Sequence, residues 1–244
     1  MIPGPERASV IWFTGLPCAG KSTLAEALAR VLSARGHRVE ILDGDVVRRQ
    51  LCAGLGYSRS DRDTNVQRIG FVAELLARNG VDVLVAAVSP FEAARRELRQ
   101  RIQNFLEVHV DCPLDECERR DVKGMYALAR AGKIEDFTGI GSPYEAPPNP
   151  HIRIDTLRQS VAECVATILK TLDERTESHA TGEPSYEHES VQKPHFPRSD
   201  RGVEPRPISR SGTRTAHATS DFEPEHPRRA RLALGRTRTS RGAS

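Results

Sequence analysis

The sequence predicts an α/β fold, a doubly wound parallel sheet with helices on both faces, followed by a disordered C-terminal tail. Strand and helix patterns alternate through residues 1–174 of the 244-residue chain, and a glycine-rich turn joins the first strand to the first helix. Residues 81–88 are nearly all apolar and β-branched, as in a strand buried on both faces. Because such alternating elements connect through right-handed crossovers, the patterns favour a parallel sheet between two helical layers.

Apolar spacing predicts the individual elements in chain order. The predicted strands are residues 10–13, 38–43, 81–88, 105–110 and 151–154. The predicted helices are residues 24–32, 64–78, 91–103, one that begins near Pro113, and 157–173. The second of these helices repeats apolar residues at Val66, Ile69 and Val72 and stops at Asn79-Gly80. Residues 121–149 are rich in Gly, Pro and charge and are predicted to be irregular.

Residues 175–244 differ in composition from the preceding domain and are predicted to be a disordered tail. They hold 7 of the 16 prolines and few aliphatic residues, too little apolar surface to offset the entropy of ordering. They carry 13 Lys/Arg against 9 Asp/Glu, whereas residues 1–174 carry 23 against 24. Charge therefore gives no support for a nucleic-acid partner of the domain, and the Arg-rich residues 228–241 are either a contact for anionic partners or a solvated end.

The five cysteines are scattered and are expected to be reduced thiols. They are Cys18, Cys52, Cys112, Cys117 and Cys164. No second cysteine pair and no nearby histidine completes a zinc site. The sequence shows no charged-then-apolar leader and no apolar run long enough to span a bilayer. We therefore expect a cytoplasmic protein without a membrane segment.

Residues 15–22 match the phosphate-binding pattern G-x-x-x-x-G-K-[ST] at every fixed position, between a strand and a helix. Backbone N–H groups of such a loop surround phosphate oxygens, and the helix directs the positive end of its dipole at them. Lys21 is predicted to reach the β- and γ-phosphates and Ser22 to hold Mg²⁺. The predicted nucleotide-binding residues are Gly15, Leu16, Pro17, Cys18, Ala19, Gly20, Lys21, Ser22 and Thr23. The motif predicts a P-loop NTPase fold that binds ATP with Mg²⁺, and no Asn-Lys-x-Asp segment indicates a guanine-specific switch.

Asp43-Gly44-Asp45 follows the second predicted strand, at the edge of the sheet where the phosphate loop, Ser89 and Asp111 are also expected. One carboxylate beside a triphosphate can orient or deprotonate the attacking hydroxyl, and the other can support Mg²⁺. The alternative is a turn in which an aspartate caps a helix. Arg48, one helical turn later, favours the functional interpretation.

Arg62, Asn65 and Arg68 lie three residues apart on one stripe of the predicted helix. Such a stripe can bind an anionic substrate through charge-assisted hydrogen bonds. On spacing alone, a solvated helix face is the more frequent explanation.

Taken together, these motifs resemble the adenylyl-sulfate kinase family, whose members phosphorylate the ribose 3′-hydroxyl of adenylyl sulfate. The resemblance runs from about Val10 to Leu172. It rests on the segments Leu-Asp-Gly-Asp (42–45), Asp-Arg-x-x-Asn (61–65), Val-Ser-Pro-Phe (88–91), residues 117–126, and Phe-Thr-Gly-Ile-Gly-Ser-Pro-Tyr-Glu-Ala-Pro (137–147). The last segment is the most specific, because a generic kinase loop does not explain it.

The resemblance implies roles for the matched positions. Asp45 is expected near the 3′-hydroxyl and Asp43 beside the magnesium ion, while Lys123 belongs to a lid formed by residues 119–137. Ser89 matches a serine that the family describes as a phosphoserine, and we expect it in the site without assigning it a covalent step. The expected substrate-binding residues are Arg48, Tyr57, Arg62, Asn65, Arg68 and Phe137, with the two aromatic rings stacking on the substrate adenine.

The implied reaction converts ATP and adenylyl sulfate to ADP and 3′-phosphoadenylyl sulfate, as part of sulfate assimilation. The family also implies a homodimer and sulfate adenylyltransferase as a partner. Two alternatives stay open on the sequence: a P-loop kinase for another small hydroxyl compound, and a nucleotide-binding regulatory module whose tail recruits a partner.

Overall fold

A computed structural model, which describes residues 8–180, contains one sheet of five parallel strands in the order β2-β3-β1-β4-β5. The strands are β1 (Val10–Thr14), β2 (Val39–Asp43), β3 (Asp82–Ala86), β4 (Phe105–Asp111) and β5 (Ile152–Asp155). The helices are α1 (Lys21–Ala34), α2 (Gly44–Gln50), α3 (Arg59–Ala77), α4 (Glu92–Arg101), α5 (Leu114–Arg120), α6 (Met125–Arg130) and α7 (Val161–Ala180). The predicted parallel α/β fold is confirmed.

Two hydrophobic cores lie on opposite faces of the sheet. Alternate residues of β1 belong to different cores: Ile11 and Phe13 pack with α1 and α7, whereas Val10 and Trp12 pack with α3 and α4. All four side chains are fully buried. Because a strand turns successive side chains to opposite faces, a continuous apolar run is what a central strand of a two-sided sheet requires.

The parallel register brings the carboxyl ends of the strands to one edge. Asp43 at the end of β2 pairs with Ala86 of β3, and Thr14 at the end of β1 pairs with His109 of β4. The loop after β1, the start of α2 and the turn after β3 consequently lie along the same edge, which is where an α/β sheet binds its ligand.

Besides α3, which begins at Arg59 rather than at residue 64, three observed helices differ from the predicted ones. Helix α2 was not predicted, and α6 interrupts the segment 121–149 that was predicted to be irregular. Each has a local cause, because the carboxylate of Asp43 caps α2 and that of Asp121 accepts hydrogen bonds from the N–H groups of Tyr126 and Ala127 in α6. Helices of six or seven residues are too short to show a clear repeat of apolar residues in the sequence.

Helix α7 is the third difference, since it starts later than predicted and continues to Ala180, past the predicted domain boundary at 174/175. Backbone bonding persists through this extension, and the Thr176 hydroxyl donates to the Leu172 carbonyl. The last turns of α7 therefore extend beyond the predicted boundary between domain and tail. The remainder of the predicted tail, residues 181–244, lies outside the described residues.

Two further findings concern the described part of the chain. Within residues 8–180, no helix combines the length and apolar character needed to cross a membrane. All five cysteines fall in this range and are free thiols, four of them buried and Cys18 partly exposed.

Candidate active site

The glycine-rich loop between β1 and α1 takes its shape from two glycines. At Gly15 the backbone passes so close to β4 that a Cβ atom would lie 2.4 Å from the carbonyl oxygen of Val110. Gly20, the residue before α1, has a φ of 103°, which L side chains rarely adopt. The loop and the first turn of α1 thus lie at the carboxyl end of β1, where the N-terminus of a helix favours an anion.

Lys21, the first residue of α1, is buried and turns back over its own loop. Its Nζ donates to the carbonyl oxygens of Gly15 and Leu16 at 3.0 and 2.7 Å. Burial lowers the pKa of this lysine from 10.5 to about 8. The ammonium group therefore rests on two neutral carbonyl partners, which anionic phosphate oxygens could replace with a gain in electrostatic energy.

Two contacts that the sequence does not reveal hold the rest of the loop. The hydroxyl of Tyr126 in α6 donates to the Pro17 carbonyl at 3.0 Å, and that of Thr156 after β5 donates to the Ala19 carbonyl at 2.9 Å. Between them Cys18 has a φ of 61°, a left-handed conformation that is uncommon for a residue with a side chain. The loop is thus supported from two distant segments of the chain.

Asp43 joins the loop to helix α2. Its Oδ2 accepts a hydrogen bond from the Ser22 hydroxyl at 2.8 Å, while its Oδ1 accepts from the N–H groups of Asp45 and Val46 at 3.0 and 3.3 Å. Asp43 therefore does cap a helix, which was the alternative to a functional role. The cap uses only one carboxylate oxygen, and the other oxygen accepts from Ser22. The two interpretations are compatible.

Asp45, in the first turn of α2, forms an ion pair with Lys123, which precedes α6. Both side chains are about two-thirds exposed. The hydrogen bond that the Lys123 ammonium donates to Asp45 raises the pKa of Lys123 above its ordinary value. The pair joins α2 to the segment that the sequence assigns to a lid, so the structure brings together two residues 78 positions apart.

Arg62 connects the two predicted substrate-binding segments. Its guanidinium donates to the Tyr57 carbonyl at 2.8 Å, to the Thr138 hydroxyl at 2.7 Å and to the Asp136 carbonyl. Burial and the neighbouring charge of Arg48 lower its pKa from the ordinary value. Thr138 and Asp136 were not expected in this role, although both adjoin Phe137 in the most specific sequence segment.

The rings of Tyr57 and Phe137 are held differently. Tyr57 is 55% exposed, and the guanidinium carbon of Arg48 lies 4.1 Å from its ring centroid. Phe137 packs edge-on against Tyr126, with 4.9 Å between the ring centroids. Arg62 bonds the backbone at both places, so it holds the segments that carry the two rings on either side of its guanidinium.

The other two members of the helical stripe are separated from each other. The Oδ1 atom of Asn65 is buried and has no hydrogen-bond partner within the described part of the chain. Arg68 is exposed one turn further along α3 and donates to the Leu51 carbonyl at 3.3 Å. Arg62 and Asn65 are thus partly or wholly buried, whereas Arg68 lies on the outer surface.

Ser89 lies in the turn after β3 and is buried, with a φ of 46°. Its hydroxyl accepts a hydrogen bond from the indole N–H of Trp12 at 3.0 Å, and its carbonyl accepts one from Arg95 at 2.5 Å. Nearby, Leu16 and residues 139–144 line an open cavity of about 580 Å³. The turn and this cavity both adjoin the phosphate loop through Thr14, whose hydroxyl donates to the Val88 carbonyl at 2.8 Å and lies 3.0 Å from the Tyr144 hydroxyl.

Comparison with known proteins shows close relatives over this domain. Residues 7–155 match the family described as adenylylsulphate kinase. The adenylyl-sulfate kinase of Picosynechococcus sp. is 54% identical over 169 residues, which cover 69% of this chain and 96% of that protein. A probable adenylyl-sulfate kinase of Pseudomonas aeruginosa is 54% identical over 161 residues, covering 66% of this chain and 75% of that protein.

Solved structures lead to the same family. The Mycobacterium tuberculosis APS kinase CysC in complex with AMPPNP and APS superposes with a TM-score of 0.67 at 44% identity, covering 69% of this chain and 99% of that one. A hexameric APS kinase from Thiobacillus denitrificans has a TM-score of 0.52 at 35% identity, and the match covers 72% of this chain and 31% of that one. This chain is a kinase and belongs to the adenylyl-sulfate kinase family.

Proposed function

We propose that the carboxyl edge of the sheet transfers the γ-phosphoryl group of ATP to the ribose 3′-hydroxyl of adenylyl sulfate. The observation that carries this proposal is the convergence of Lys21, Ser22, Asp43 and Asp45 at one edge, beside the cluster centred on Arg62. In the transfer, the bond from the γ-phosphorus to the bridging oxygen breaks and a bond to the 3′-oxygen forms. The hydroxyl proton leaves towards a carboxylate, and ADP is released.

The nucleotide is bound by the phosphate loop. Backbone N–H groups from residues 15–23, except Pro17, which has none, surround the phosphates, and Lys21 exchanges its two loop carbonyls for β- and γ-phosphate oxygens. Because the lysine is largely shielded from water, its charge acts on the transferring group with little screening.

Ser22 and Asp43 fit a magnesium ion. Their oxygen atoms lie 2.8 Å apart, and hydroxyl and carboxylate oxygens are the donors that Mg²⁺ prefers. Residues 8–180 contain no cluster of three or more His, Cys, Asp or Glu side chains that could hold a metal by themselves. This suits an ion that takes its other ligands from phosphates and water and, when bound, neutralises charge on the transferring group.

Asp45 is our candidate for the group that orients and deprotonates the 3′-hydroxyl. Its carboxylate lies in the first turn of α2, and its ion pair with the exposed Lys123 can open without disturbing the core. Lys123 can then contact the phosphates as the lid segment 119–137 closes. Ser89 is assigned a supporting role: its buried turn is bonded to Trp12 and, through the Val88 carbonyl, to Thr14 at the start of the phosphate loop.

We assign the sulfate–phosphate anhydride of the substrate to Arg48, Arg62 and Asn65, and its adenine to the space between Tyr57 and Phe137. The Oδ1 of Asn65 is buried without a donor among the described residues, and because the anhydride has only acceptors, an N–H or O–H of the substrate's nucleoside would have to supply it, while the Asn65 amide N–H₂ would be the group that donates to the anhydride. Arg68 has the weakest support of the set, since it is exposed and directed at Leu51.

We further propose a cytoplasmic homodimer that works beside sulfate adenylyltransferase. Five free thiols support a reducing compartment. The dimer and the partner rest on the family alone, and light scattering of the full chain and co-purification with the adenylyltransferase test them.

The decisive experiment measures ADP release from Mg-ATP with adenylyl sulfate, AMP or adenosine as acceptor. We expect turnover with adenylyl sulfate alone. Turnover with another acceptor would point to a different small-molecule kinase, and ATP binding without any turnover would point to a regulatory module.

A further inference from the structure

Arg95 is a fully buried arginine outside the residues assigned to substrate or nucleotide. It lies in the first turns of α4 and is 1% exposed. Its Nε donates to the Glu107 carboxylate at 2.9 Å, its Nη1 to the Ser89 carbonyl at 2.5 Å and its Nη2 to the Glu145 carbonyl at 2.6 Å. One guanidinium thus joins β4, the turn after β3 and the end of the segment 137–147.

The arrangement does more than neutralise a buried charge. Glu107 is the carboxylate that pairs with Arg95, and it also lies 3.8 Å from Arg99, yet two of the three Arg95 bonds go to backbone carbonyls of irregular segments. Buried carbonyl groups need donors, and the Ser89 turn has a left-handed φ of 46° that its surroundings must maintain. The planar fork of an arginine can reach three acceptors in fixed directions, which a lysine cannot.

The Glu145 end of the segment is attached to α4 a second time. Its backbone N–H donates to the Pro90 carbonyl at 2.8 Å, and its carboxylate accepts from the N–H of Glu92 at 2.8 Å. The N-terminus of α4 has no side-chain cap of its own, so Glu145 supplies one from outside the helix.

From Glu145 the segment leads directly to both halves of the proposed site. The preceding residue, Tyr144, contacts Thr14 at the entry to the phosphate loop. Further back, the N–H of Gly139 donates to the Ser142 carbonyl at 2.8 Å, and Thr138 accepts from Arg62. The position of the acceptor-side cluster relative to the phosphate loop therefore depends on where Glu145 is held.

We propose that Arg95 is a positioning residue for phosphoryl transfer: its fork holds the Ser89 turn and the 137–147 segment at the distance from the phosphate loop that in-line attack requires. The proposal rests on the proposed function for its kinetic consequence. The proposed role depends on the two hydrogen bonds that Arg95 donates to the Ser89 and Glu145 carbonyls, and not on the charge of its pair with Glu107.

Two substitutions in the full chain separate geometry from charge. Arg95→Lys keeps the ion pair with Glu107 but loses the fork, whereas Glu107→Gln loses the charge pair and leaves the fork in place. We expect Arg95→Lys to lower kcat/KM for adenylyl sulfate about 100-fold, with the Kd of AMPPNP within about twofold of wild type. Glu107→Gln should lose at most about fivefold. Arg96→Lys, an exposed change on the same helix, is the matched control.

Hydrogen exchange gives a second readout that does not depend on turnover. Arg95→Lys should speed amide exchange at Gly139, Ser142 and Glu145, whereas Glu107→Gln and Arg96→Lys should not. If wild type showed no turnover with adenylyl sulfate, the proposed function would fail and exchange alone would decide the role of Arg95. Equal losses in both variants, unchanged exchange, or failure of both Arg95→Lys and Arg95→Gln to fold would each overturn the proposal.

Discussion

The Ser22 hydroxyl donates to Asp43 across 2.8 Å, and the same carboxylate caps helix α2 with its other oxygen. One side chain thus couples the first turn of α1 to the first turn of α2. The helix that carries Asp45 is oriented by the residue that faces the proposed magnesium position, so substitutions at Asp43 can separate capping from catalysis.

Asp43→Asn should retain the cap, because asparagine is as good an N-cap as aspartate, but remove the negative charge next to Ser22. We expect a free energy of unfolding close to that of wild type and a loss of at least about 100-fold in kcat/KM. Asp43→Ala should lose the same activity and also about 1 kcal/mol of stability. Urea unfolding and ADP release measure the two effects, and full turnover by Asp43→Asn would contradict the assignment.

Asp45→Ala should lower turnover about 1,000-fold, since general acid–base groups contribute about 10²–10⁴-fold. Because Asp45 is largely exposed, the free energy of unfolding of the Asp45→Ala protein should differ from that of wild type by no more than about 0.5 kcal/mol. Steady-state kinetics checks the first expectation and denaturation the second. Glu40→Ala, an exposed carboxylate on the neighbouring strand, is the control and should remain fully active.

Arg62→Lys should weaken substrate use selectively. A lysine cannot bond Tyr57, Thr138 and Asp136 together, so the two predicted adenine-stacking segments lose their common support. We expect kcat/KM for adenylyl sulfate to fall about 10- to 100-fold while the Kd of AMPPNP is unchanged. Calorimetry and kinetics provide these values, with Arg78→Lys on the exposed end of α3 as control. A parallel loss of AMPPNP affinity would argue against a substrate-side role.

Binding of Mg-ATP should be coupled to protonation of Lys21. Burial lowers the pKa of the free lysine to about 8, and bound phosphates would raise it again. Near pH 9 binding should therefore take up a proton, whereas near pH 6.5 the lysine is already charged and no uptake on it is expected. Titration calorimetry in two buffers of different ionisation enthalpy measures the uptake. Lys21→Met should abolish it, and an unchanged uptake in that variant would place the proton elsewhere.

His151 should make the domain less stable in mild acid. Its Nδ1 accepts a hydrogen bond from the Glu107 N–H at 2.9 Å, and burial lowers its pKa from 6.5 to about 4. Between pH 6.5 and about pH 4, His151 is therefore protonated in the unfolded chain but neutral in the folded chain, so acid favours unfolding. The stability lost across that window should be about 1–2 kcal/mol, reduced by partial exposure. In His151→Asn, the decrease in unfolding free energy between pH 6.5 and 4 should be smaller by that amount.

Local sequence patterns were sufficient for the sheet and the phosphate loop. The strands around Trp12 and Val85 are continuous apolar runs, and the loop motif has a fixed spacing, so both signals lie within a few consecutive residues. Helices α2 and α6 were missed because each is short and begins at a carboxylate cap rather than at an apolar repeat. The end of α7 was placed too early because its last turns are polar and carry no apolar signal.

In the candidate site, too, some features follow from local sequence and others only from the tertiary structure. The sequence by itself identified the candidate residues for phosphoryl transfer, because Lys21, Asp43 and Asp45 lie at or after strand ends in recognisable motifs. Only the tertiary structure decided which of them meet: Asp45 with Lys123, Arg62 with Asp136, and Arg95 with Ser89 and Glu145. These pairs are separated by 6 to 78 positions, and several join a side chain to a backbone carbonyl, which any residue can provide. Such contacts depend on how parallel strands bring distant loops to one edge, and no local spacing encodes them.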